Sequence, residues 1–188
     1  MIWAVTSAQL QEPLLALASE GTAAPRTGDA APDFTLPTIG GNPVRLSSLL
    51  SRGPVVLVVL RGYPGYQCPI CNRQVQQFLS NAAAFAETGA QVLFVYPGPS
   101  EGLDAKAGEF VANKKLPPHF TFALDPDYSF TTSYRLRWNA PRETAYPSTF
   151  VLDRNGKVMF AKTSNSHGGR VSASDVLGIV AQLKTGGK

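Results

Sequence analysis

Leu60-Arg61-Gly62-Tyr63-Pro64-Gly65-Tyr66-Gln67-Cys68-Pro69-Ile70-Cys71-Asn72-Arg73 is the stretch on which the reading of this chain turns. It contains both cysteines of the protein, three positions apart. The preceding run, Val55-Val56-Leu57-Val58-Val59-Leu60, is β-branched and does not alternate, as expected of a strand covered on both faces. Gly62, Pro64 and Gly65 then make a loop. Pro69 fits the first position of a helix, where its missing N–H costs nothing. That puts Cys68 at the helix mouth, facing unpaired backbone N–H groups and the positive end of the helix dipole, so its pKa is expected below the free value of about 8.5. Cys71, one turn on, is placed to close a disulfide with it.

Two other uses of a C-x-x-C pair fit less well. A four-ligand zinc site needs two more ligands, and only His119 and His167 remain as nitrogen donors, far apart and without ligand-spaced partners. A purely structural disulfide here would close a tiny loop and remove little chain entropy. Strand, Gly/Pro loop and helix around the pair favour redox chemistry.

Working outward, the chain of 188 residues is 44% apolar, enough for one domain with a real core. The formal charge is +4, but the 17 Lys and Arg are scattered, which argues against a nucleic-acid partner. No apolar run approaches a membrane-spanning length. Residues 1–25 read as an N-terminal arm or helix, with Leu10, Leu14 and Leu17 at helical spacing, and residues 26–188 as the domain. The arm has no Lys or Arg before Arg26 and no compact apolar middle, so it does not resemble a secretory signal. A cytoplasmic protein is expected, with export open if a leader is missing from the sequence.

Residues 23–32 are expected to be an extended linker. Residues 33–36 and 44–46 flank Gly40-Gly41-Asn42 as a short hairpin, and Ser47 caps a brief helix over 48–51. Beyond the cysteines, Val75, Phe78, Leu79, Ala82, Phe85 and Ala86 repeat at three and four, predicting one helix ended by Gly89. Then follow a strand over 91–96, a turn at Pro97-Gly98-Pro99, a helix over 101–115, a strand over 120–124 and a short helix over 127–134. An irregular stretch carries Arg135, Arg137, Trp138 and Arg142. Strands over 148–152 and 157–162 flank Asp153-Arg154-Asn155-Gly156, a strong hairpin turn, and a helix over 175–183 closes the chain.

Parallel β-α-β-α-β followed by a β-hairpin and a helix implies an α/β fold with a mixed central sheet flanked by helices and an N-terminal hairpin extension. If the strand ending at Leu60 delivers Cys68 to one edge of the sheet, the antiparallel strand beginning at Ser148 starts at that edge, and its partner returns there. The loop Ser164-Asn165-Ser166-His167-Gly168-Gly169-Arg170 is therefore expected beside the cysteines, offering His167 as proton carrier and Arg170 as positive charge. Arg61 is a further candidate partner for the thiolate. His119, between Pro118 and Phe120, reads as a surface loop residue.

Three segments carry a family resemblance: Gly28-Asp29-Ala30-Ala31-Pro32-Asp33-Phe34 with Leu36; the strand with Cys68-Pro69-Ile70-Cys71; and Tyr146-Pro147-Ser148-Thr149-Phe150-Val151-Leu152-Asp153 with Asn155-Gly156. Over residues 27–184 the chain resembles the thioredoxin fold, and within it the redoxin or alkyl hydroperoxide reductase/thiol-specific antioxidant (peroxiredoxin-like) group. The resemblance implies that Cys68 attacks a peroxide, becomes a sulfenic acid, is resolved by Cys71 and is recovered by a thiol donor such as a thioredoxin. Where that group carries a threonine, a proline and an arginine this chain has Gly65, Arg61 and Pro147. Pro147 instead matches thioredoxins and membrane-anchored disulfide reductases, where this proline is normally cis and packs over the cysteine pair. The substrate is thus a peroxide or a protein disulfide. A non-catalytic binding module using the Tyr63/Tyr66 loop as a protein contact is the alternative, and it would have two inert thiols.

Overall fold

A computed structural model describes residues 23–185. The predicted arm lies almost wholly outside the described residues. The elements run β1 (Thr35–Pro37), β2 (Pro43–Arg45), α1 (Leu46–Leu50), β3 (Val55–Val59), α2 (Pro69–Ser80), α3 (Ala82–Thr88), β4 (Gln91–Gly98), α4 (Leu103–Val111), β5 (Phe120–Pro126), α5 (Ser129–Ser133), β6 (Ser148–Leu152), β7 (Val158–Thr163) and α6 (Ala173–Thr185).

The sheet order is β5-β4-β3-β6-β7, with β3, β4 and β5 parallel and β6 and β7 antiparallel. β3 is central and every one of its residues is buried. Val56, Val58 and Leu60 face a core built with Val75 and Phe78 of α2, Phe85 of α3, Phe110 of α4 and Val180 of α6. Val55, Leu57 and Val59 face a second core with Leu46 and Leu49 of α1, Phe130 of α5 and Phe150. The unbroken aliphatic run is thus explained by apolar layers on both faces. The thioredoxin fold with its β1-β2 hairpin extension is as expected.

Several boundaries differ from the sequence reading, each for a local reason. The helix after the cysteines is two helices, interrupted at Asn81 (φ −108°, ψ 15°), whose Nδ2 donates to the Gln77 carbonyl. The break lets Phe78 and Phe85 stack with centroids 5.3 Å apart. β4 runs through Pro97 and Gly98, not into a turn, because β5 continues beside it to Pro126. β3 has ended by then, so the N–H missing at Pro97 costs no ladder bond there. α4 begins only after Gly102, held in a left-handed turn. α5 is cut short by left-handed Asp127 and Tyr128 and is capped by the buried carboxylate of Asp125, which accepts from Phe130 N at 2.8 Å and Thr131 N at 3.0 Å. Ser47 does not cap α1; its backbone N–H donates instead to Asp33 Oδ1 at 3.0 Å. Residues 23–32 are extended but not a free linker, since Gly28 N donates to Val158 O and Ala31 N to Gly156 O, docking this segment on the last hairpin.

Candidate active site

Where β3 ends, the chain must leave the sheet and return as a helix, and the intervening loop is fastened at several points. Tyr63 N donates to Pro97 O at 2.9 Å. Gly62 takes φ +70°, and a Cβ on it would lie 1.9 Å from that same carbonyl oxygen, so only glycine fits. Gln67, one residue before Cys68, accepts from Tyr96 Oη at 2.8 Å and donates to the Lys106 carbonyl at 2.8 Å. Helix α2 then starts as its sequence dictates. Cys68 is the N-cap in extended conformation, Pro69 follows in the first turn, and the Cys68 sulfur accepts from Cys71 N at 3.4 Å.

Both cysteines are reduced and buried, Cys68 with 3% of its surface exposed and Cys71 with none. Their environments push them apart. The Cys71 thiol donates to the Cys68 sulfur, and although burial opposes it, this bond together with the N–H groups of Cys71 and Ile70 and the charge of Arg170 pulls Cys68 down to about 5. Burial pushes Cys71 well up, and its bond to Cys68 keeps the proton on it; Arg170 and the Arg61 N–H offset this only in part. Cys68 is therefore a thiolate at neutral pH and Cys71 a thiol. This asymmetry departs from the two inert thiols expected of a binding module.

Arg170 is where the topology puts it. Ser148 pairs with Val59 on one side and Thr163 on the other, so the loop after β7 returns to the edge where β3 ends. Its Nη2 lies 3.5 Å from Cys71 Sγ, its Nη1 donates to Gln74 Oε1 at 2.7 Å, and its Nε donates to the His167 carbonyl at 3.0 Å. Arg61 is close but differently employed. Its backbone N–H faces Cys71, whereas its buried guanidinium donates to Glu143 Oε2 at 2.7 Å, Tyr66 Oη at 2.5 Å and the Arg142 carbonyl at 2.6 Å. The positive charge the thiols feel comes from Arg170. His167 also turns from the cysteines, its Nε2 lying 2.8 Å from Glu143 Oε1 and its ring tilted against Trp138.

Pro147 is buried and precedes β6, but the expected cis bond is absent: every peptide bond among the described residues is trans. The strand it precedes, β6, is an interior one, lying between β3 and β7. With a trans bond its carbonyl accepts from Ser164 N at 2.9 Å, tying the segment before β6 to the Arg170 loop. His119 is half-buried at the opposite ends of the strands, its Nε2 3.0 Å from the Ala82 carbonyl.

Glu143, Gln74 and Tyr96 escaped the sequence reading. Glu143 had a usable signal, because the argument that brings residues 164–170 to the active edge also brings the segment entering β6. Gln74 lies one turn beyond Cys71 on α2, but nothing in its residue type distinguishes it from Gln76 or Gln77.

The sequence profile of the AhpC/TSA family matches residues 27–161. A Mycobacterium tuberculosis protein provisionally named a peroxiredoxin is 31% identical over 152 residues, covering 77% of this chain and 89% of that protein. The crystal structure of the peroxidoxin BcpB from the same organism superposes with a TM-score of 0.67 at 27% identity, over 85% of this chain and 97% of that one. The structure of a provisionally named thiol:disulfide interchange protein, DsbE, from Chlorobium tepidum superposes with a TM-score of 0.61 at 25% identity, over 84% and 97%. Among the described residues no helix is long and apolar enough to cross a membrane. A reduced cysteine pair at a helix mouth, in a redoxin fold and within a profile match over residues 27–161, makes this chain a thiol-dependent oxidoreductase that belongs to the AhpC/TSA family, with peroxiredoxins among its relatives.

Proposed function

We propose that the protein reduces peroxides with Cys68 and is itself returned to the dithiol by an external thiol protein. The observation that carries this reading is the geometry of the pair: the Cys68 sulfur caps a helix N-terminus and accepts from Cys71 N at 3.4 Å, and Arg170 lies 3.5 Å from Cys71 Sγ, an arrangement that favours a thiolate on Cys68. The Cys68 sulfur attacks the peroxide oxygen and the O–O bond breaks. The electron pair of that bond leaves on the departing oxygen, which takes a proton and departs as alcohol or water, and Cys68 becomes a sulfenic acid. Cys71 then attacks the Cys68 sulfur, the S–O bond breaks, and water leaves with the Cys71 proton. The resulting disulfide is opened by a dithiol reductant of the thioredoxin type. Pro147 shapes the surface beside the pair, and His167, held by Glu143, acts at one remove through Arg170.

A second reading has specific support. Gly65 and Pro147 stand where the peroxiredoxin threonine and arginine would hold the peroxide, and one superposable structure of comparable identity is titled as an interchange protein. In that reading Cys68 attacks a protein disulfide, and Cys71 resolves the mixed disulfide. Steady-state turnover with hydrogen peroxide and with insulin, under one reductant system, separates them. Preference for peroxide supports the first reading, and turnover of insulin alone replaces it with the second.

A further inference from the structure

Glu143 joins two halves of the site, the Arg61 guanidinium at the end of β3 and His167 in the loop after β7. Its Oε2 accepts from the buried Arg61 guanidinium at 2.7 Å and its Oε1 lies 2.8 Å from His167 Nε2. Both neighbours hold its carboxyl below the usual carboxylate range against the pull of burial, so it is an anion at neutral pH. Arg61 is fixed in turn by Tyr66 Oη and the Arg142 carbonyl, and its own carbonyl accepts from Thr144 Oγ1. This makes a rigid post at the end of β3. On the other side, His167 sits in the loop whose next cation is Arg170, and Arg170 Nε donates to the His167 carbonyl at 3.0 Å. The loop is short, polar and glycine-rich, with Gly169 at φ +67°, so its own backbone does little to fix it. Ser164 Oγ bonds to the Ser166 and Gly168 carbonyls and closes the loop on itself. Its polar side-chain attachments to the rest of the domain include His167 to Glu143, Arg170 to Gln74 and Arg170 to Cys71, and the His167 ring also lies against Trp138.

We propose that Glu143 is a positioning residue for disulfide closure: by holding His167 it keeps the Arg170 guanidinium against the Cys71 sulfur. Cys71 is fully buried, so the anionic sulfur it must present to the Cys68 sulfenic acid needs a cation beside it. Arg170 is that cation. Glu143 has a second effect on the same step, because it neutralises Arg61 and leaves Arg170 as the cation acting on the pair. This rests on the Cys68/Cys71 cycle above, and the closure step is the one already balanced there: the S–O bond of the sulfenic acid breaks, the S–S bond forms and water leaves.

The test is a stopped-flow measurement of closure after a stoichiometric pulse of hydrogen peroxide, made on the reduced protein at pH 7 with Glu143→Ala, His167→Ala, Arg170→Gln and the Glu143→Ala/Arg170→Gln pair. Each single substitution is expected to slow closure about tenfold, by analogy with the loss of a hydrogen-bonded partner that orients a metal ligand. The double variant should be no slower than Arg170→Gln alone. His167→Ala guards against misfolding, since it cuts the same connection and leaves the Arg61–Glu143 ion pair in place. Trp138, tilted 5.4 Å from the His167 ring, supplies a spectroscopic readout. In a Trp3→Phe background, iodide quenching should rise in Glu143→Ala and His167→Ala but not in Arg170→Gln. Additive losses in the double variant, or closure at the parent rate in His167→Ala, would overturn the proposal. Repeating the pulse with oxidised glutathione keeps the two readings apart. A protein that closes its disulfide only from the glutathione adduct refutes the peroxidase reading while still reporting whether Glu143 acts through Arg170.

Discussion

At the scale of single residues, the site is one proton unequally shared by two sulfurs. Cys68 carries its charge at the mouth of α2, and the proton stays on Cys71 because burial makes a second thiolate costly. Alkylation of the reduced protein by iodoacetamide is therefore expected to label Cys68 first, with a rate that rises through about pH 5 instead of the ordinary thiol range. A midpoint near 8.5, the free-cysteine value, would contradict the assignment. The same depression is linked to stability. The Cys68 thiolate favours the folded state most fully above the unfolded thiol pKa, and that contribution is lost as pH falls through about 5. The two sulfurs should also differ in what their loss does. Cys68→Ser is expected to abolish turnover, whereas Cys71→Ser leaves the first oxidation intact and accumulates a sulfenic acid, detectable by dimedone adduct in mass spectrometry. A Cys71→Ser protein that no longer consumes one equivalent of peroxide would assign the nucleophile to the wrong sulfur.

At the scale of elements, the chemistry depends on a loop held between β3 and α2. Its placement rests on the contact of Gly62 and Tyr63 with Pro97 at the end of β4. Gly62→Ala adds a Cβ 1.9 Å from a backbone oxygen at φ +70°, so the loop must move. Destabilisation of more than about 1 kcal/mol is expected from the backbone conformation alone. Cys68 should also lose much of its thiolate character as the α2 N-cap is displaced, visible as slower alkylation at pH 6; an alanine variant with parent stability and reactivity would show that the loop is not pinned there. The sequence made β3, the Cys68 cap and the start of α2 legible, because burial on both faces, proline at the first helical turn and cysteine spacing each leave a local mark. It did not show the break at Asn81, which goes with the stacking of Phe78 on Phe85, or the extension of β4 through Pro97, which depends on which neighbouring strand ends first. Both are decided by packing between elements, which no periodicity records.

At the scale of the whole molecule, sheet order selects which distant loops meet the cysteines. The antiparallel β6-β7 hairpin beside β3 brings residues 164–170 to the end of β3, and this could be reasoned from strand order alone; that Arg170 and not Arg61 takes the sulfur could not. The difference lies in Glu143, an acid 82 positions from Arg61 that claims the nearer guanidinium. The consequence for catalysis is direct. Peroxide cleavage concentrates negative charge on the departing oxygen, and a donor aimed at that charge is worth on the order of 10²–10³ in rate. Gly65 and Pro147 supply neither the side-chain hydroxyl nor the guanidinium that the family resemblance leads one to expect, and Arg61 is spent on Glu143, Tyr66 and the Arg142 carbonyl. Arg170 is the remaining cation at the sulfurs. Stopped-flow oxidation by hydrogen peroxide is thus expected to be faster than for an unactivated thiolate but slow for a peroxiredoxin. It should fall about tenfold or more in Arg170→Ala, and by much less in Arg61→Met if that variant folds. A rate equal to that of a simple thiolate and indifferent to Arg170 would leave no anion-stabilising group for the peroxide reaction, and protein-disulfide exchange would then be the chemistry this arrangement serves.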